Sequence, residues 1–183
     1  MTAITTKAAS VRASVEHPII DADGHFVEIA PLLNDEVLAY VEETGGAQLR
    51  DRFLASGVAP TDTSSVLATR DASAVRGQWR AMPSWWGWPT DARDRATAHL
   101  PRLLHERLDE MGIDFTILYP SMTIAFFEAT DDELASAICR AVNRYQARLF
   151  APYRDRCAVG ALIPMNTPEL ALAALDHVGH VPV

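Results

Sequence analysis

The sequence is poor in positive charge. It contains 16 lysine and arginine residues against 24 aspartate and glutamate residues, and its one lysine is Lys7. The formal net charge is −8, and the sequence pI is near 5.1. Nucleic acids and anionic membrane surfaces attract clustered lysine and arginine side chains. The composition therefore predicts that neither is a partner of this protein.

Long apolar runs and closely spaced cysteines are also missing. No segment has the roughly 20 apolar residues of a membrane-spanning helix, and residues 1–17 lack the apolar centre of a secretory signal. Cys139 and Cys157 lie too far apart for a CxxC redox pair or a zinc knuckle. We interpret both as reduced, buried thiols. These features predict a cytoplasmic protein.

The chain divides into a short arm and one larger α/β unit. Residues 1–17 are rich in Thr, Ala and Ser, which predicts a flexible N-terminal arm. Residues 18–183 are long enough for one core, with an insertion expected over about 26–99. All four tryptophans fall in the later part of this insertion: Trp79, Trp85, Trp86 and Trp88. They either form the core of the insertion or line a pocket.

The chain outside the insertion alternates between strand and helix patterns. Apolar runs at 19–23, 115–119 and 158–163 predict strands, and helical spacing is found over 100–111, 130–149 and 167–178. Pro101 and Gly112 mark the start and end of the first of these helices, and Thr130 is expected to cap the second. This alternation predicts a parallel sheet with right-handed crossovers.

A cluster of polar side chains interrupts the first predicted strand. Within residues 18–25, an apolar run leads directly into Asp21, Asp23 and His25, which alternate along the chain. In a regular strand these three side chains share one face, and burying them unpaired would cost several kcal/mol, roughly. Carboxylate oxygen and neutral imidazole are suitable ligands for zinc, manganese or iron. The spacing therefore predicts a divalent metal site at the end of this strand.

Four segments together resemble a known family. They are Ile-Ile-Asp-Ala-Asp-Gly-His-Phe-Val-Glu (19–28), Leu-Asp-Glu-Met-Gly-Ile-Asp-Phe-Thr-Ile-Leu-Tyr-Pro (108–120), Asn-Arg-Tyr (143–145) and Ala-Val-Gly-Ala-Leu-Ile-Pro-Met-Asn-Thr-Pro-Glu (158–169). This combination is similar to the amidohydrolase-related family, the metal-dependent (β/α)₈-barrel group that includes aminocarboxymuconate-semialdehyde decarboxylase and related carboxy-lyases. The resemblance spans about residues 18–178 and is weakest in the insertion.

The resemblance implies a fold, a cofactor and a reaction class. The expected fold is a partial (β/α)₈ TIM barrel of about three β/α units, with an insertion after the first strand. Asp23 and His25 would occupy the first-strand metal positions, and the metal would be zinc or manganese. Such a metal would support hydrolysis or non-oxidative decarboxylation of a small organic acid.

The chain departs from the family in length, because a complete barrel takes about 250 residues. The family's later histidine and aspartate ligands have no counterparts here, so we expect an N-terminal portion or a truncated homologue. The sequence leaves open whether this chain is an enzyme by itself. Half a barrel would leave strand edges uncovered, which predicts self-association or pairing with a missing C-terminal half.

Two alternatives remain open. The run 19–24 also resembles the opening motif of haloacid-dehalogenase phosphatases, with Asp21 as nucleophile and Asp23 as acid/base. Ser121 would then contact phosphate, and Asp131 with Asp132 would bind magnesium, although no lysine follows the motif to neutralise a phosphate. The other alternative is a non-catalytic interaction remnant.

Several further polar residues have a structural and a functional interpretation. Asp21 is either a support for the metal ligands or a buried hydrogen-bond acceptor, and Glu28 is interpreted as a solvated carboxylate near a helix start. Ser121 and Asn166 are expected at the same sheet edge as the metal residues. Four histidines are not expected to bind metal: His99, His105, His177 and His180.

Overall fold

The architecture is mixed α/β, built on a three-stranded parallel sheet. The computed structural model describes residues 6–56, 91–123, 129 and 131–178. Strands β1 (Ile20–Phe26), β2 (Phe115–Pro120) and β3 (Cys157–Val159) lie in the order β1-β2-β3, and both pairings are parallel. The predicted parallel sheet is therefore confirmed. Strand β1 continues three residues beyond its predicted end, and β3 is shorter than predicted.

Six α-helices accompany the sheet in the described part of the chain. They are α1 (Lys7–Arg12), α2 (Ala30–Ser56), α3 (Ala92–His99), α4 (Pro101–Met111), α5 (Asp132–Phe150) and α6 (Pro168–Val178), and a short 3₁₀ helix (Ala151–Tyr153) follows α5. The three helices predicted from sequence spacing correspond to α4, α5 and α6. Helix α2 is broken at Gly46, whose φ of 64° is unfavourable for residues with a side chain.

The ends of the helices follow the local sequence. Pro101 occupies the first turn of α4, and Gly112 ends that helix in the left-handed conformation with a φ of 74°. Helix α5 is capped by Asp131, whose side chain accepts a hydrogen bond from the Leu134 amide. The expected cap, Thr130, lies outside the described residues. Asp131 also forms an ion pair with Arg52 of α2, which ties the two helices together.

Two hydrophobic clusters form the core. The larger one joins α2 to α5 and contains fully buried residues from both helices, among them Leu33, Val37, Val41, Ile138 and Val142. The smaller one packs α4 and the end of α5 against one face of the sheet, and it contains Phe26, Leu104, Leu108, Leu118, Phe150 and Cys157. We call this the covered face of the sheet. The opposite side, which carries Asp23, His25 and Tyr119, is called the open face.

The segments outside the predicted strand and helix pattern contain regular structure. The expected flexible arm includes α1, whose Thr6 cap bonds to the Glu110 carbonyl and whose Arg12 pairs with Asp114 at 2.6 Å. The expected insertion contains α2 and α3, while the tryptophans lie outside the described residues. Among the described helices, none has the length and apolar character needed to cross a membrane.

Candidate functional site

A bulge in strand β1 determines which polar side chains share a face. Asp21 pairs with Thr116, but the next paired residue, Gly24, is matched only two positions further along β2. The extra residue reverses the alternation of side chains. A Cβ atom on Gly24 would lie 3.0 Å from Asp21 Oδ2 and 2.5 Å from Thr116 Oγ1, so Asp21 lies on the covered side. The prediction that Asp21 shares a face with Asp23 and His25 is therefore wrong.

Asp21 has a structural set of partners. Its Oδ2 accepts a hydrogen bond from the Thr116 hydroxyl at 3.3 Å, and its Oδ1 accepts one from the Asp23 amide at 3.1 Å. The second bond closes the chain over the bulge, as short polar side chains commonly do in turns. Of the two interpretations of Asp21, the geometry supports the hydrogen-bond acceptor.

Asp23 and His25 meet on the open face near the carboxyl end of β1. Asp23 Oδ1 lies 4.0 Å from Nε2 of His25, and the two side chains are 96% and 29% exposed. The Tyr119 ring lies beside the imidazole, with ring centroids 6.3 Å apart. This part of the sheet therefore presents a carboxylate and an imidazole together, both accessible to solvent.

Ser121 joins this pair from the end of β2, as the sequence predicts. Its Oγ is 3.3 Å from Nδ1 of His25, on the side of the ring away from Asp23. Ser121 is 3% exposed. Asn166, which was also expected at this edge, donates hydrogen bonds to the Ala129 carbonyl and to Asp132, which follow the carboxyl end of β2. The structure thus brings Ser121 to the candidate site and gives Asn166 other partners.

Glu28 is the functional candidate that sequence reasoning assigned incorrectly. It is 2% exposed rather than solvated, and its Oε2 accepts hydrogen bonds from the amides of Ser121 at 3.0 Å and Met122 at 2.8 Å. Burial raises the pKa of the Glu28 carboxyl above its ordinary value, while the Met122 and Ser121 amides oppose that rise. The sequence contained one signal for this burial: Glu28 lies two residues after Phe26. In an extended chain the two side chains point the same way, and here both point inward.

The Glu28 carboxyl group and the Gln146 side chain form a buried polar cluster. Oε1 of Glu28 and both amide atoms of Gln146 lack partners of good geometry among the described residues. Gln146 is 2% exposed and lies near the carboxyl group. Such a cluster is costly to bury, since each unsatisfied group loses its hydration. Titratable groups whose pKa is shifted by burial are common near functional sites.

The remaining predicted residues have simpler surroundings. His99 bonds to the Val27 carbonyl through Nδ1 at 2.8 Å, and His105 contacts the carboxylate of Asp155 at 3.1 Å. His177 lies at the end of α6, and His180 lies outside the described residues. Both cysteines are free and buried as predicted, and burial raises the pKa of Cys139 to about 12 and that of Cys157 to about 11.

No protein-family model matches the chain, and no curated protein matches it significantly. The resemblance to the amidohydrolase-related family therefore rests on the four motifs described above, and what it implies for this chain is a proposal.

The Asp23 and His25 pair fits part of a metal site. Zinc bonds to nitrogen and oxygen are about 2.0–2.2 Å long, so two such donors on a tetrahedral ion lie roughly 3.4 Å apart. The 4.0 Å separation of Asp23 Oδ1 and His25 Nε2 requires a small approach, which the exposed aspartate side chain permits. Within the described ranges, no group of three or more His, Cys, Asp or Glu side chains is arranged to hold a metal. The described residues thus offer two candidate ligands, Asp23 and His25.

Proposed function

We propose that this chain is a metal-dependent protein of the amidohydrolase-related type, which acts on a small organic acid by hydrolysis or by non-oxidative decarboxylation. The pairing of Asp23 with His25 at the carboxyl end of β1 carries the proposal. Sites of parallel α/β proteins form at this edge of the sheet. The order of parallel strands also agrees with the opening units of a (β/α)₈ barrel, the fold that we propose.

The residues of the open face have distinct roles in this proposal. Asp23 contributes a carboxylate oxygen and His25 contributes Nε2 to a zinc or manganese ion. The ion would polarise a substrate group or activate water when bound. Tyr119, which is 42% exposed beside the imidazole, offers a flat apolar surface to the organic part of the substrate. Two protein ligands leave coordination positions for water and substrate.

Zinc binding tests the proposal directly. Isothermal titration of the purified chain with Zn²⁺ is expected to show one site, which is lost in His25→Ala and strongly weakened in Asp23→Asn. His17→Ala and Asp35→Asn are matched controls, because both residues are exposed and lie outside β1. These controls should bind zinc like the wild type.

Equal zinc binding by the wild type and His25→Ala would remove the metal site from this chain.

If the site exists, release of carbon dioxide from unsaturated or aromatic carboxylic acids separates decarboxylation from hydrolysis. The same acids, supplied as amides or esters, test the hydrolytic reaction. A decarboxylase should release carbon dioxide only when its metal is present.

The phosphatase alternative is less compatible with the geometry. Asp21 lies within β1, with the strand continuing to Phe26, and it is turned away from Asp23. Asp131 caps α5 and pairs with Arg52, and Asp132 accepts a hydrogen bond from Asn166. A nucleophile and its acid/base group must both reach one substrate. The two aspartates at the start of the motif do not meet this condition.

A second candidate function is that of an interaction module that associates with itself. Leu172 and Leu175 of α6 are 63% and 55% exposed, and Ala174 is the one buried residue of this helix. Exposed apolar patches of this kind favour association. Light scattering of the wild type and Leu172→Glu tests it, since a self-associating chain should form smaller particles in the variant.

The free thiols of Cys139 and Cys157 support a cytoplasmic location, which we also propose.

A further inference from the structure

Ser121 occupies a special position relative to the imidazole of His25. Its Oγ lies 3.3 Å from Nδ1, whereas Nε2 on the other side of the ring faces Asp23. A neutral imidazole carries its proton on one nitrogen and a lone pair on the other. A partner on either nitrogen therefore influences which of the two carries the proton.

Ser121 is itself held firmly in place. Its amide donates to the Phe26 carbonyl at 3.1 Å and to Glu28 Oε2 at 3.0 Å, and the next amide, that of Met122, donates to the same carboxyl oxygen at 2.8 Å. Glu28 and Ser121 are 2% and 3% exposed. The connection that follows β1 thus fixes the residues that follow β2.

This arrangement holds the hydroxyl oxygen of Ser121 beside Nδ1 of His25. A nucleophilic serine needs access to its substrate, and Ser121 is buried. Partners of metal-binding histidines orient the ring and select its tautomer through the nitrogen that does not bind the metal. The position of Ser121 on Nδ1 matches that role, because the opposite nitrogen is the one that faces Asp23.

We propose that Ser121 is a positioning residue: it accepts a hydrogen bond from Nδ1–H of His25 and thereby keeps on Nε2 the lone pair that a cation shared with Asp23 would bind. Glu28 supports this by fixing the backbone of Ser121. The proposal rests on the proposed function in one respect, which is that the lone pair of His25 Nε2 binds a metal ion. The tautomer of His25 can nevertheless be measured without one.

Long-range ¹H–¹⁵N spectra of the full chain with labelled histidine test the proposal at alkaline pH, where imidazoles are neutral. His25→Ala identifies the His25 signals. The wild type is expected to show His25 protonated mainly on Nδ1, and Ser121→Ala should shift the proton toward Nε2. Ser10→Ala, a change at an exposed serine of α1, is the control and should leave the spectrum unchanged.

Zinc affinity provides a second readout. Loss of a partner of this kind typically weakens metal binding by about 10- to 100-fold, so Ser121→Ala should bind Zn²⁺ that much more weakly than Ser10→Ala. If Ser121→Ala does not fold, Ser121→Cys preserves the size of the side chain while weakening the acceptor. The cysteine variant should show the same change of tautomer.

The outcomes separate this inference from the proposed function. A tautomer that depends on Ser121 in a chain that binds no zinc supports the positioning role and contradicts the metal site. Zinc binding that is equal in the wild type and Ser121→Ala, with an unchanged tautomer, overturns the positioning role and leaves the metal site intact. A wild type protonated on Nε2 also overturns the inference.

Discussion

The two faces of the sheet differ in what their side chains do. On the covered face, Phe26 and Leu118 are both 2% exposed and pack against α4 and α5. On the open face, their chain neighbours His25 and Tyr119 are accessible to solvent. Adjacent residues of one strand thus belong either to the core or to the candidate site.

Within a single strand, the residues of the covered face therefore stabilise the fold, and the residues of the open face form the candidate site. Burial of apolar area is the dominant favourable term in folding, and here it is concentrated on the covered face and between α2 and α5. The polar residues of the open face contribute little to that term because solvent reaches them. Substitutions on the two faces should therefore affect different measurements.

The largest contrast is expected from two neighbouring residues of β2. Leu118→Ala removes a side chain from the covered face and should lower the free energy of unfolding by about 2–5 kcal/mol. Tyr119→Ala removes a larger side chain, but one that is 42% exposed, and should cost less than about 1 kcal/mol. Urea denaturation followed by circular dichroism measures both values.

If Leu118→Ala and Tyr119→Ala lower the free energy of unfolding equally, the open face must be covered. Comparison at low and high protein concentration then identifies a second copy of the chain as the cover, because only association depends on concentration. The helix content of both variants should first match that of the wild type. This check ensures that the same folded state is compared.

A smaller effect is expected at the bulge, where Gly24 of β1 lies close to residues of β2. A Cβ on Gly24 would lie 2.5 Å from Thr116 Oγ1 and 2.9 Å from the Ile117 carbonyl oxygen. Gly24→Ala should therefore destabilise the fold by about 1–3 kcal/mol. Adding Thr116→Ala removes the nearest atom, and thermal unfolding of the double variant should show part of the loss recovered. Additive effects would mean that the Thr116 hydroxyl is not the source of the cost of Gly24→Ala.

Features with local causes could be predicted from the sequence. Helix α4 begins at Pro101 and ends before Gly112 as expected, since both residues act on the backbone next to them. The parallel sheet followed from the order of strand and helix patterns. The proximity of Asp23, His25 and Ser121 followed from the rule that strand ends meet at one edge.

Features that depend on distant contacts could not be predicted. The bulge after Asp21 is defined by its register against β2, which a single strand pattern does not contain. Glu28 lies near a helix start, where an exposed carboxylate is common. Its burial is explained by the amides of Ser121 and Met122, which lie more than ninety residues further along the chain.

The smallest effect concerns Glu28, which accepts hydrogen bonds from the residues that follow β2, and it depends on pH. Burial raises the pKa of this carboxyl above its ordinary value of 4.5, so the folded chain holds the proton more tightly than the unfolded chain does. The stability that this proton contributes is complete below about pH 4.5 and is lost as the pH rises through the raised pKa. Glu28→Gln, which does not titrate, should lack this loss.

Urea denaturation at a series of pH values tests this expectation. The stability of Glu28→Gln relative to the wild type should increase as the pH rises from about 4.5 toward neutrality. Glu16→Gln, at an exposed position, is the matched control and should follow the wild-type profile. A constant difference between Glu28→Gln and the wild type would mean that the carboxyl group is ionised in the fold as readily as in the unfolded chain. The Ser121 and Met122 amides would then compensate for the burial of this carboxyl group, and the group would be an anion in the folded chain.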